Sequence, residues 1–212
     1  IVTDIVNKGL PFLLLPVLAL YLAPADYGQM ALYNSLVLFL QPAITLALEA
    51  YITRNYFKSS REEVAKMTFN IFVTVTLTCV SLALISQAVF LTAGDVFDFP
   101  WYLYLLLPLN ILFRYFGTLN FLLLRNEKKV GAFSLLQISS TVVELALVLL
   151  LVISFQLNWV GRINAGILAA LLAGGVHMVH LYKRGWLRGI FDAKLIKNAL
   201  KLTIPIIPSV IS

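Results

Sequence analysis

Of the sixteen Lys and Arg residues in this chain, all but Lys8, Arg114 and Arg162 fall in three short segments. These alternate with three acidic or nearly neutral segments, and long apolar stretches lie between. The basic segments hold Arg54, Lys58, Arg61 and Lys66; then Arg125, Lys128 and Lys129; then Lys183, Arg184, Arg188, Lys194, Lys197 and Lys201. The others hold Asp26, then Asp95 and Asp98, then only Arg162. This alternation describes a polytopic membrane protein. Cytoplasmic loops retain positive charge, so the basic segments and the amino end are expected on the cytoplasmic side.

The apolar stretches cover residues 5–22, 29–53, 67–93, 101–124, 132–157 and 163–182. Crossing the hydrocarbon as helix takes ~20 apolar residues. A β-barrel would show alternating segments of about ten residues, and these runs are longer and continuously apolar. In lipid each backbone amide must be satisfied internally, so helices follow. A mean hydropathy of +0.91 excludes an ordinary soluble domain. The net charge of +6 belongs to the membrane rule: with 60% hydrophobic and 12% charged residues there is no solvated face broad enough for nucleic acid.

The expected fold is all-α and integral to the membrane. Residues 1–182 form a six-helix lobe, 183–201 a basic cytoplasmic linker, and 202–212 the start of a seventh helix. The chain opens with Ile1 and stops within an apolar run, and is read as a fragment. A cleaved signal peptide ending near Ala23-Pro24-Ala25 is the alternative for the first run. Pro11 and Pro16 in the first run are matched by Pro205 and Pro208 in the seventh, each pair following a Lys (Lys8, Lys201). This suggests a parallel internal repeat.

Trp101, Tyr102 and Tyr104 suit the outer aromatic belt. Trp186, Ile190 and Phe191 alternate with basic residues, which suits a segment lying on an anionic inner leaflet. A plain linker is the other reading. Small residues recur every four positions in the sixth run (Gly161, Ala165, Ala169, Ala173; Gly166, Ala170, Gly174), as a helix-packing face requires. Asn70, Thr74, Thr78 and Ser81 share one face of the third; they either line a wet path or bond backbone carbonyls. The lone Cys79 has no partner for an intramolecular disulfide.

Charges inside the membrane are the sharpest functional signal, since one at mid-depth costs a few kcal/mol on insertion scales. Arg114 lies midway between Trp101 and Arg125, and Glu144 lies at similar depth in the fifth run. Glu49 lies in the second, near Arg54, and Asp4 and Lys8 in the first. In one reading Arg114 and Glu144 neutralise each other as a structural pair. In the other, Arg114, with Asn110 one turn before it, lines a cavity and attracts an anion, because a guanidinium donates two hydrogen bonds at once to a phosphate. Glu144 or Glu49 is then a proton or sodium site, with Asp4 a further candidate. Glu49 can also snorkel toward Arg54 or Lys58. His177 and His180 lack further ligands for zinc and read as packing or interfacial residues. No Walker A, G-x-S-x-G or H-E-x-x-H motif is present, so no catalytic residue, metal or cofactor is expected.

Asn7-Lys8-Gly9-Leu10-Pro11, Leu15-Pro16 and Tyr21-Leu22-Ala23-Pro24-Ala25-Asp26-Tyr27-Gly28 resemble the first helix and outer loop of bacterial polysaccharide-biosynthesis flippases. That superfamily also holds lipid II flippases and multidrug and toxin extrusion transporters. Trp159-Val160-Gly161-Arg162-Ile163-Asn164-Ala165 and Leu202-Thr203-Ile204-Pro205-Ile206-Ile207-Pro208-Ser209 are similar to the family's fifth outer loop and seventh helix. The resemblance implies twelve to fourteen helices in two six-helix lobes around an alternately open cavity, in the bacterial inner membrane. The implied substrate is an undecaprenyl-pyrophosphate-linked oligosaccharide. Cationic residues would hold its pyrophosphate, and the basic residue of helix one falls near Lys8. The partners are this lipid, membrane lipids at 183–201 and a missing C-terminal lobe. Only Arg114 and Lys8 are embedded cations here, so part of an anion site is expected in that lobe. A cation-coupled multidrug exporter of the same fold is the main alternative. A membrane-embedded sugar-lipid transferase or polymerase is the second, disfavoured by short outer gaps with no acidic or His cluster.

Overall fold

The computed structural model describes residues 9, 12 and 14–207, and among these the regular structure is entirely helical. Asp4 and Lys8 lie outside the described residues, as do Pro11 and Pro208. After a short helical stretch at 14–18 come α1 (Pro24–Thr45) and α2 (Glu49–Asn55), then α3 (Arg61–Ala93) and α4 (Trp101–Asn126). α5 (Val130–Val148) runs on into a π-helical segment, Leu149–Ser154, and α6 (Asn158–Lys183) and α7 (Ala193–Thr203) follow. Among the described residues, four helical runs are long and apolar enough to cross a membrane: α3, α4, Val130–Ser154 and α6. A fifth is Pro24–Thr45 with Glu49–Lys58, taken as one span bent by 53°. The second apolar run is thus two helices and not one rod.

Helix ends follow local chemistry. The Ser60 hydroxyl accepts from the Glu63 N–H, and the Glu63 carboxylate accepts from the Ser60 N–H at 2.8 Å, a reciprocal cap that starts α3. α6 ends where Gly185 turns left-handed (φ 77°). Trp186 N–H then reaches the Leu181 carbonyl and Gly185 N–H the Tyr182 carbonyl, the paired bonds of a Schellman stop. That stop seats the Trp186 ring in the interior, 2% exposed. Asp192 caps α7 by accepting from Lys194 and Leu195 N–H groups.

The chain folds as two compact units. The first comprises Ile1–Leu36 and Leu124–Ala173. Its core joins Leu14, Leu18 and Leu22 to Val148, Val152 and Ala165. A Cβ on Gly161 would stand 3.0 Å from the Leu151 carbonyl oxygen, so the π-helical segment and the start of α6 touch through backbone.

The second unit comprises Val37–Leu123 and Gly174–Ser212. Phe72 stacks on Phe116 with centroids 4.8 Å apart, and α6 approaches α4 so closely that a Cβ on Gly174 would lie 2.6 Å from the Phe113 carbonyl oxygen. Asn120, fully buried, lies 2.9 Å by its amide nitrogen from His177 Nδ1 and 2.9 Å by its amide oxygen from His180 Nδ1. The two histidines are packing residues joined by one amide. The apolar side of α7 (Ile196, Ala199) is buried within this unit, while Lys194, Lys197 and Lys201 are exposed.

Candidate functional site

Polar side chains on the exposed faces of spanning helices distinguish a wet or covered surface from one that meets lipid. α3 exposes Leu77, Val80, Leu84, Ile85 and Val89, with the uncharged Ser81 among them. α4 instead exposes Arg114 and Thr118, one turn apart. Arg114 is 13 residues into a helix of 26, so about 20 Å from its amino end at 1.5 Å per residue. Exposure of an arginine to hydrocarbon at that depth is costly.

Arg114 borders a recess of about 40 Å³ with Gln41, Thr45, Ile111, Tyr115 and Thr118. Its Nε donates to the side-chain oxygen of buried Asn110 at 3.2 Å, which sets the direction of the guanidinium. The recess holds roughly one to three waters, and a diphosphate is larger than that.

The recess lies at the break in the bent span. Leu46 and Ala47 both take left-handed backbone angles (φ 51° and 50°), a conformation that costs non-glycine residues roughly 1–2 kcal/mol each. Tight turns satisfy the local amides: Leu46 N–H bonds the Pro42 carbonyl and Leu48 N–H the Thr45 carbonyl. Ile44, Leu48 and Ile52 are fully buried, and their packing holds the break in place.

Glu49 begins the helix after the break. Its Oε2 and the Tyr115 hydroxyl are both buried, and the two groups interact with each other. The structure therefore brings Arg114, Asn110 and Tyr115 together with Glu49 close behind. Tyr115, Gln41 and Thr45 were absent from the sequence-based candidates. Pro42, four residues before the break, is the one local signal of it.

Glu144 lies elsewhere. It accepts from Arg162 Nη1 at 3.3 Å, each side chain about one-third exposed. The carboxylate offered to Arg114 on sequence grounds thus serves the residue assigned to the last outer gap. The polar stripe of α3 is spent locally: Thr74 bonds the Asn70 carbonyl, Thr78 that of Thr74 and Ser81 that of Leu77. Asn70 instead ties down the segment before α7, donating to the Ile190 carbonyl and accepting from Asp192 N–H at 2.6 Å.

Outside the spans, two carboxyls are held below the usual carboxylate range. For Asp192 the first cause is the bond from Lys66 at 2.8 Å, then the Leu195 N–H. At Asp95 burial opposes the shift, and bonds from Phe99 N–H, the Tyr104 hydroxyl and Phe97 N–H overcome it. No curated protein and no solved structure matches the chain. The family model described as polysaccharide biosynthesis protein matches residues 1–212, and the chain belongs to that family.

Proposed function

We propose that the protein is a flippase that carries an undecaprenyl-pyrophosphate-linked oligosaccharide across the bacterial inner membrane by alternating access, and that it is not an enzyme. The observation that carries this reading is the exposed guanidinium of Arg114 at mid-span, aimed by Asn110 beside a broken helix. An embedded cation on an uncovered face suits a diphosphate that arrives from outside the lobe, and broken helices are where transporters gather their binding groups. The recess supplies one wall of the site. In this reading a second lobe supplies the opposite wall and Lys8 an additional cation. The basic segments, and with them the amino end, face the cytoplasm.

The test is export of the glycan to the cell surface by the full chain carrying Arg114→Ala or Arg114→Lys, with insertion checked separately. Loss of one charge-assisted contact predicts a fall of about tenfold or more for Ala and partial retention for Lys. Normal export by Arg114→Ala would overturn the reading.

The buried carboxylate oxygen of Glu49 at the break favours a second reading, a cation-coupled exporter of the same fold. In this reading the Glu49 carboxylate takes the proton or sodium ion. Under this reading Glu49→Gln abolishes transport while Arg114→Ala spares it.

A further inference from the structure

A second hollow, of about 710 Å³, opens where the start of α3 meets the turn after α6. Arg61, Lys66, Arg184 and Arg188 line it, against one lining carboxylate, Glu62. Its frame is fixed before any ligand arrives. Arg61 donates to the Arg184 carbonyl at 3.2 Å. Both guanidinium groups lie against the Trp186 ring, 5.1 and 6.0 Å from its centroid. Lys66 is anchored by Asp192 at 2.8 Å. A Cβ on Gly189 would come within 3.3 Å of the Lys66 Cα, so the loop lies directly on α3.

Like charges are crowded here beyond what the neighbouring carboxylates offset. Burial first, and then the charge of Arg61, draw the Arg184 guanidinium down from its ordinary value. An anion in the hollow opposes both effects, since a nearby negative charge favours the charged form of a partly desolvated cation. Arginine forks match phosphate oxygens two at a time. The volume falls within the range of about 300–1,000 Å³ usual for small-molecule sites. Beside the hollow Ile190 is 83% exposed and Phe191 49% exposed, an apolar shoulder where acyl chains can rest.

We propose that this hollow binds a phosphate-bearing anion of lipid-headgroup size, separately from the Arg114 recess. Arg188 is the free-standing contact: it is exposed, whereas Arg61 and Arg184 also brace Trp186. Glu62 opposes the anion and tunes the site downward.

The experiment titrates the purified full chain, in neutral detergent, with phosphatidic acid, phosphatidylcholine or inorganic pyrophosphate, and reads the shift in thermal unfolding. Phosphatidic acid stabilises saturably and phosphatidylcholine does not. Arg188→Gln weakens the apparent affinity about tenfold, the loss of one charge-assisted contact. Glu62→Gln strengthens it about threefold by removing a repulsion. Lys197→Gln, the same charge loss on exposed α7, leaves it unchanged. Equal stabilisation by inorganic pyrophosphate identifies the phosphate itself as what is read. Stabilisation by the lipid alone assigns part of the binding to the apolar shoulder. Equal weakening by Arg188→Gln and Lys197→Gln, or equal effects of the two lipids, would overturn the proposal. No transport is measured, so the result is independent of the Arg114 reading.

Discussion

The Ser86 hydroxyl donates to the Tyr104 carbonyl at 2.6 Å, and that carbonyl is the one Pro108 leaves without its donor inside α4. In hydrocarbon a freed carbonyl finds no water, so a neighbouring helix must answer it. Ser86→Ala is expected to cost about 0.6–2 kcal/mol, the range for hydrogen bonds between spanning helices. Unfolding in detergent measures it. With Pro108→Ala in the background the restored N–H takes over, and the cost of Ser86→Ala should fall toward zero. An unchanged cost in that background would show that the bond does not answer the proline.

Adjacent glycines in α6 should behave in opposite ways. A Cβ on Gly174 meets the Phe113 backbone and side chain at 2.6–2.8 Å, whereas one on Gly175 meets nothing within 4 Å. Gly174→Ala should destabilise by about 1–3 kcal/mol or more, since two backbones have to part. Gly175→Ala should stabilise by about 0.5–1 kcal/mol through the lower entropy of the unfolded chain. Thermal unfolding of the two variants side by side decides it, and equal effects would refute the close approach.

The seating of α7 should depend on acid. Asp192 is held below its ordinary value chiefly by Lys66. A depressed carboxyl stabilises the fold fully above its unfolded value of about 4, and that contribution is lost as pH falls through the folded value. Amide exchange across 184–203 should accelerate, beyond the intrinsic trend, between about pH 5 and pH 3. Asp192→Asn keeps the cap geometry without the charge, so it should remove this pH dependence. If its profile matches that of the wild type, the ion pair does not seat the helix.

The helical class was legible because continuous apolar length leaves no other structure in lipid. The start of α3 was also written locally, in Ser60 and Glu63. The break at Leu46–Leu48 was written only faintly, in Pro42, since Leu-Ala-Leu-Glu-Ala is a favourable helical sequence and tertiary packing overrides it. The partner of Glu144 was equally hidden. The sequence placed Arg162 in an outer gap, but α6 begins at Asn158 and carries that arginine on its first turns. In the α3 stripe, Thr and Ser read the same whether they line water or bond their own helix, and Thr74, Thr78 and Ser81 do bond their own helix. Arg114 was found by its depth alone. Its neighbour Tyr115 carries no charge to betray it.

Two left-handed residues in succession, neither of them glycine, act like a cocked joint. Were Leu46 and Ala47 to relax to the right-handed region, the 53° bend would close. The ten residues beyond it form an arm of about 15 Å, and its tip near Lys58 would sweep roughly 13 Å. A local change of only four dihedral angles would thus be geared up into movement at the far end of the arm, with Glu49 at the pivot.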